Sequence, residues 1–153
     1  MNMTSENIKA ERHNSNGNEA FKAGDYHTAY KHFSKAIKEA NPKCAKYYTN
    51  RARTSLSLKR YAVAYDDAEE AIKHDPANVK GYYCKGEALF GKRDYQLAQN
   101  QSEKALELAP HDATIRLKVD ECKKLQFDRN VHHDEVQQAF AANSSREHKA
   151  APR

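Results

Sequence analysis

The sequence predicts an all-α protein built from three copies of one helical hairpin. Two sets of residues support this prediction, because each recurs with nearly the same period along the 153-residue chain. Tyrosines recur at intervals of 35 and 34 residues, at Tyr26, Tyr61 and Tyr95. Prolines recur at intervals of 34 residues, at Pro42, Pro76 and Pro110. A period of this length is typical of proteins that stack one supersecondary unit.

Small residues follow the same period. A glycine or alanine precedes each tyrosine by nine residues, at Gly17, Ala52 and Gly86. Alanines occupy the third and tenth positions after the tyrosines, at Ala29, Ala64, Ala98, Ala36, Ala71 and Ala105. Small side chains on both helices of a hairpin allow the helices to approach closely. The pattern therefore predicts an antiparallel helix pair in each unit, with the tyrosine at the turn and the proline at the end.

This combination of small, aromatic and proline positions resembles the tetratricopeptide repeat (TPR), a helix-turn-helix unit of about 34 residues. The resemblance implies a right-handed α-solenoid of three repeats, at residues 10–44, 45–78 and 79–112. Residues 1–9 extend the first helix in this interpretation, and residues 113–142 form a C-terminal capping helix. Residues 143–153 are small and polar, and they are predicted to be a disordered tail.

The periodicity also predicts where the helices lie. They are expected at 5–22, 26–40, 44–58, 61–74, 77–91, 95–108 and from about 112 onward. Asp75, directly before Pro76, is predicted to cap the N-terminus of the fifth helix. In a curved stack of hairpins the first helix of each pair lines the concave surface. A binding site is therefore expected on the first, third and fifth helices.

One face of these three helices is predicted to form the groove, because residues three and four apart are neighbours on a helix. The face holds Glu11, Asn14, Ser15, Asn18, Lys46, Thr49, Asn50, Arg53, Lys80, Tyr83, Cys84 and Glu87. It is polar and carries both signs of charge. Phe21, Leu56 and Phe90 follow three residues later on the same helices, and they are interpreted as apolar anchors or as core residues.

The stretches GNEAFKAGDY, YYTNRA and VKGYY are similar to the TPR domains of co-chaperones and of the TPR-bearing serine/threonine phosphatase. Such domains bind the C-terminal Glu-Glu-Val-Asp tail of cytosolic heat-shock chaperones through a carboxylate clamp of Lys, Asn and Arg side chains. The resemblance implies that Asn18, Asn50 and Lys80 are clamp residues. Asn14 and Cys84 occupy the positions of a second lysine and of the arginine, so the clamp is expected to be weakened.

Other cations near the groove are candidate substitutes for the two missing ones. They are Lys46, Arg53, Arg12 and Lys85. Glu11 and Glu87 lie on the predicted groove face, and they are expected to repel an acidic peptide. The predicted peptide-binding residues are therefore Asn14, Asn18, Lys46, Asn50, Arg53, Lys80 and Cys84.

The composition argues against membrane and metal functions. The chain has 39% apolar and 31% charged residues, and it contains no run of about 18 apolar residues that could span a bilayer. No signal peptide is predicted, so the cytoplasm is the expected location and the nucleus is the alternative. The three cysteines form no Cys-x-x-Cys motif and the eight histidines lack metal-binding spacing. No disulfide, metal site or cofactor is therefore predicted.

Catalysis and nucleic-acid binding are not expected either. The sequence contains no phosphate-binding loop and no nucleophile elbow. A net charge of +5 and nine tyrosines would suit a nucleic acid, but the charges are interspersed and the repeats use tyrosines for packing. The sequence predicts a non-catalytic adaptor that binds an extended peptide, such as the acidic tail of a heat-shock chaperone. The alternative is an assembly scaffold that uses its convex face or its C-terminal helix.

Overall fold

The computed structural model describes residues 3–149, which form seven helices joined by short turns. The helices are α1 (Ser5–Lys22), α2 (Tyr26–Glu39), α3 (Ala45–Ser57), α4 (Tyr61–His74), α5 (Val79–Gly91), α6 (Tyr95–Leu108) and α7 (Ala113–Lys149). Three of the six paired helices have the predicted bounds, and the others differ by one or two residues. The prediction of an all-α repeat fold is confirmed.

The helices pack as three hairpins, α1 with α2, α3 with α4, and α5 with α6. Successive hairpins are joined by contacts of α2 with α3 and of α4 with α5. On one side of this stack, α3 contacts both α1 and α5. These three first helices therefore form a continuous inner wall, which is the wall predicted to bind a ligand.

Small residues explain how closely the helices of a hairpin approach. The periodic alanines are all 0% exposed, namely Ala29, Ala36, Ala64, Ala71, Ala98 and Ala105. A Cβ atom added to Gly17 would lie 2.6 Å from Cε1 of Phe33 on the facing helix. One added to Gly86 would lie 2.7 Å from Oγ of Ser102. The helices α1 and α5 therefore pack too closely against their partners to accept a larger side chain at Gly17 and Gly86.

Each hairpin turns through one residue with a left-handed backbone. These residues are Gly24 with φ of 78°, Lys59 with φ of 57° and Arg93 with φ of 64°. In the first hairpin the tyrosine that follows packs on the preceding helix, with ring centroids 5.2 Å apart for Tyr26 and Phe21. Tyr95 and Phe90 have the same separation of 5.2 Å. Tyr26 and Tyr95 therefore close the turns of the first and third hairpins, as the sequence pattern predicts.

The predicted cap of α5 is wrong. Asn78 caps this helix, and its Oδ1 accepts a hydrogen bond from the backbone N–H of Gly81 at 2.8 Å. Asp75 instead follows the end of α4, and its carboxylate accepts a hydrogen bond from the backbone N–H of Ala77 at 3.2 Å. The chain turns between these two residues, so α5 begins two residues later than predicted.

The C-terminal helix α7 has two different halves. Its first half packs on α6 and buries Ile115, Val119 and Cys122. From residue 127 to residue 147 every side chain is exposed. The second half of α7 is therefore a helix that projects from the stack.

The prediction of a disordered tail is wrong for residues 143–149, because they continue α7. Neither proline nor glycine interrupts the end of the helix before Pro152, and its alanine, arginine and glutamate residues are good helix formers. Composition alone suggested disorder, whereas the continuity of the preceding helix favours its extension. The rest of the predicted tail, residues 150–153, lies outside the described residues.

Candidate functional site

The predicted site residues lie on the inner wall of the stack. Those on α1 are Asn14 and Asn18, those on α3 are Lys46, Asn50 and Arg53, and those on α5 are Lys80 and Cys84. The structure brings six of them into two neighbouring groups, one of amides and ion pairs and one of free cations around a hollow. Asn18 is exposed and lies one helical turn beyond Asn14 on the same face.

The first group joins α1 to α3 through side chains. We call it the amide network and define it as Glu11, Asn14, Lys46 and Asn50. Nδ2 of Asn50 donates to Oδ1 of Asn14 at 2.8 Å, and Nδ2 of Asn14 donates to Oε1 of Glu11 at 3.3 Å. Asn14 is only 3% exposed, so it positions Asn50 rather than presenting an open donor to a ligand.

Glu11 is the charged centre of the amide network. Its Oε2 accepts hydrogen bonds from Nζ of Lys46 at 3.0 Å and from the hydroxyl of Tyr47 at 2.8 Å. Partial burial alone would raise the pKa of Glu11, but the hydrogen bonds from Lys46, Tyr47 and Asn14 outweigh burial and lower the pKa. The carboxylate therefore stays ionised at neutral pH and neutralises Lys46. The repulsion of an acidic peptide expected from Glu11 is reduced by this pairing.

The second group surrounds a hollow of about 310 Å³. We call it the cationic hollow, and its lining includes Phe21, Arg53, Leu56, Lys80, Tyr83 and Cys84. The guanidinium carbon of Arg53 lies 5.1 Å from the centroid of the Phe21 ring. Arg53 and Lys80 are exposed, and within residues 3–149 neither forms an ion pair. Two positive charges are thus available beside an apolar surface.

Cys84 forms part of the floor of the cationic hollow. Its side chain packs against Ala52 and Ala68 and is 1% exposed. Burial raises the pKa of the Cys84 thiol to about 12, although the positive charges of Arg53 and Lys80 act in the opposite direction. The thiol is therefore neutral, and this position supplies no charge where the TPR clamp pattern has an arginine.

A residue outside the sequence-predicted site pairs with an acidic side chain that lines the hollow. Nζ of Lys118 on α7 lies 3.0 Å from Oε1 of Glu87, which also borders the hollow. Lys118 also lies 4.0 Å from the centroid of the Phe90 ring and so covers this aromatic side chain. The repulsion expected from Glu87 is therefore reduced. No pattern in the sequence identifies Lys118, because it follows the last repeat and reaches the groove only through the packing of α7.

The groove provides amide, ammonium and guanidinium donors, which suit carboxylate ligands. Within residues 3–149, no helix is both long enough and apolar enough to cross a bilayer. In the same part of the chain, no three His, Cys, Asp or Glu side chains lie close enough together to hold a metal ion.

Comparison with known families assigns the repeats. Residues 15–79 match a family model described as a tetratricopeptide repeat, and residues 79–112 match a second model with the same description. The chain belongs to the tetratricopeptide repeat family. Its three TPR hairpins are the helix pairs α1–α2, α3–α4 and α5–α6, and α7 follows the last of them.

The curated relatives of this TPR protein are longer than the chain itself. It is 35% identical over 131 residues to serine/threonine-protein phosphatase 5 of Homo sapiens, and the match covers 83% of this chain and 26% of the relative. It is 33% identical over 127 residues to heat shock protein STI1 of Saccharomyces cerevisiae, with 83% and 22% covered. The chain thus spans about a quarter of the length of these relatives.

A solved TPR structure shares the fold over most of this chain. It is the first TPR of Spaghetti (RPAP3), bound to the HSP90 peptide SRMEEVD. The two structures align with a TM-score of 0.74 at 29% sequence identity, covering 77% of this chain and 93% of the other. The likeness therefore extends over about three quarters of this chain.

Proposed function

We propose that the TPR groove binds an extended peptide by its free C-terminal carboxylate, and that the ligand is the acidic tail of an Hsp90- or Hsp70-type heat-shock chaperone. The observation that supports this proposal best is that Arg53 and Lys80 both line the cationic hollow and form no ion pair within residues 3–149. The amides of Asn18 and Asn50 lie on the same wall. Such donors form charge-assisted hydrogen bonds to a carboxylate, which are stronger than neutral ones.

The shape and chemistry of the hollow suit the end of such a tail. The peptide SRMEEVD bound to the TPR of Spaghetti ends in an apolar valine followed by an aspartate. The cationic hollow combines apolar groups from Phe21, Leu56 and Tyr83 with the positive charges of Arg53 and Lys80. A ligand with one apolar side chain next to two terminal carboxylates is therefore complementary to it.

In this proposal the chain is a non-catalytic adaptor. The matched segment is 26% of the length of the phosphatase relative, so phosphatase activity is not part of the proposal. The ligands are cytosolic chaperones, which places the adaptor in the cytoplasm. The adaptor would hold the chaperone near a second protein that binds the outer surface of the stack.

Peptide titration tests the proposal directly. We would measure the fluorescence anisotropy of a labelled peptide ending in Glu-Glu-Val-Asp and of its C-terminally amidated twin. Amidation and Lys80→Ala should each weaken binding roughly tenfold or more, because each removes a charged hydrogen-bonding partner. Lys31→Ala is the matched control, since Lys31 is an exposed lysine on the outer helix α2. Equally weak binding of both peptides to all variants would contradict the proposal.

One observation favours a second function, assembly through α7. Phe127, Val136 and Phe140 are 68%, 50% and 78% exposed on its projecting half. We would compare partners recovered by the full chain, by a chain truncated after Asp128 and by Lys80→Ala at near-physiological salt. Partners lost only on truncation would favour the scaffold, and partners lost only with Lys80→Ala would favour the groove.

A further inference from the structure

We propose that Arg53 on α3 supplies the cation that the TPR clamp pattern places on α5, at the position of Cys84. This inference rests on the proposed function, because it concerns the same ligand carboxylate. Four cations near the groove are candidates for this role, and the contacts of each one distinguish them.

Lys46 and Lys85 are already paired. Nζ of Lys46 lies 3.0 Å from Oε2 of Glu11 in the amide network. Nζ of Lys85 lies 3.0 Å from Oε1 of Glu69 on α4, and the Lys85 side chain is 18% exposed. A peptide carboxylate would have to displace a carboxylate of the protein from either lysine. Neither lysine is therefore a ready substitute.

Arg12 is on the wrong side of α1. It precedes Asn14 by two residues, which corresponds to a rotation of about 200° around a helix. Asn14 faces α3, because its Oδ1 accepts a hydrogen bond from Asn50. The side chain of Arg12 therefore leaves α1 away from the groove.

Arg53 lines the hollow and has no ion-pair partner among the residues that the structure describes. Its guanidinium lies over the ring of Phe21 at 5.1 Å from the centroid, and it shares the cationic hollow with Lys80 and Cys84. Its charge also acts on the Cys84 thiol, as does that of Lys80. Since the Cys84 side chain is small and buried, it leaves the hollow open to a guanidinium from the facing helix. The planar fork of donors of an arginine can bind a carboxylate through two parallel hydrogen bonds.

The decisive measurement is a ratio of affinities. For each variant we would divide the affinity for the peptide ending in Glu-Glu-Val-Asp by the affinity for its amidated twin. Arg53→Gln should lower this ratio roughly tenfold, because it removes one charged partner of the terminal carboxylate. Arg53→Lys should lower the ratio less than Arg53→Gln does, since lysine keeps the positive charge but lacks the planar set of donors of a guanidinium. Lys85→Gln, which removes a paired cation, should leave it unchanged.

A purely structural role of Arg53 gives a different result. If Arg53 only packed on Phe21, Arg53→Gln would weaken both peptides equally and the ratio would not change, which overturns the inference. A lower ratio in Arg53→Gln, with the wild-type ratio kept in Lys85→Gln, supports it. A wild-type chain that does not prefer the free carboxylate overturns both this inference and the proposed function.

A relocated charge tests whether the two positions are equivalent. The double variant Arg53→Gln with Cys84→Arg should regain most of the ratio lost in Arg53→Gln. A folded double variant without recovery would overturn the claim that both positions serve one carboxylate. Circular dichroism would establish that each variant is folded, because an arginine at a buried position can disturb the packing. Where the double variant does not fold, the ratio measured for Arg53→Gln decides the inference by itself.

Discussion

The two arginines of α3 lie two residues apart and point to opposite sides of the helix. Arg51 faces the body of the stack, where Nε and Nη2 donate to the two carboxylate oxygens of Asp67 at 2.8 and 2.7 Å. Its Nη1 donates to Oγ of Ser34 at 3.1 Å. Arg53 faces the groove, lies over Phe21 and has no acidic partner among residues 3–149. The same residue type thus serves the fold on one side of the helix and faces a candidate ligand site on the other.

This difference separates structural cations from functional ones. The guanidinium of Arg51 uses Nε, Nη1 and Nη2 in hydrogen bonds to Asp67 and Ser34, so few donors remain for a ligand. These bonds link α3 to both α2 and α4. A guanidinium held only by an aromatic ring keeps its donors available. Contacts, rather than residue type, therefore decide which cation of the chain can bind a peptide.

The largest expected effect is a loss of folding stability when Arg51 is replaced. Arg51→Ala should lower the free energy of unfolding by about 3–5 kcal/mol, because it leaves a buried carboxylate without its partner. The side chain of Asp67 is only 5% exposed. Arg53→Ala should change the free energy of unfolding by less than about 1 kcal/mol. Urea denaturation of both variants measures this difference in stability. Similar losses for both variants would remove the distinction between the two arginines.

A smaller effect is expected in the amide network. Asn14→Ala should lower the free energy of unfolding by about 1–3 kcal/mol, since it leaves Asn50 without its acceptor in a partly buried place. Asn18→Ala is the matched control, because Asn18 is exposed on the same helix. It should change stability by less than about 0.5 kcal/mol. Equal stability of the two variants in urea would show that the Asn14–Asn50 bond does not tie α1 to α3.

The smallest effect concerns pH. The folded pKa of Glu11 is lower than its ordinary value of 4.5, so the ionised carboxylate stabilises the folded chain above that value. This contribution is lost as the pH falls through the lowered folded pKa. The stability difference between wild type and Glu11→Gln should therefore be present at neutral pH and disappear in acid. Urea unfolding at a series of acidic pH values measures it. A difference that persists in strong acid would mean that Glu11 acts through packing rather than charge.

Most of the fold is predictable because its determinants are local. The spacing of residues such as Gly17 and Ala29 specifies which helix faces meet, and the tyrosines mark the turns. The sequence alone does not identify the cap of α5, because Asp75 and Asn78 are both good capping residues. Only the path of the chain between them selects Asn78. The extension of α7 through residues 143–149 is likewise not predictable from composition, because composition alone does not show where a preceding helix ends.

The site is predictable only in part. Helical spacing identifies the groove face, and the TPR resemblance identifies the positions of the clamp. Neither shows which cations have an acidic partner, since the sequence alone does not distinguish Lys46, Arg53 and Lys85 in this respect. Their state depends on long-range partners such as Glu11 and Glu69. Lys118 illustrates the same limit, because only the packing of α7 brings it to Glu87.

The projecting half of α7 also has a thermodynamic consequence. Starting a helix is the unfavourable step, whereas adding residues to an existing one is easy. The buried turns around Val119 and Cys122 supply that start, so residues 127–147, which are exposed, can unwind while the repeats stay folded. Amide hydrogens should therefore exchange with solvent progressively faster along this segment, as a graded fraying rather than one cooperative opening.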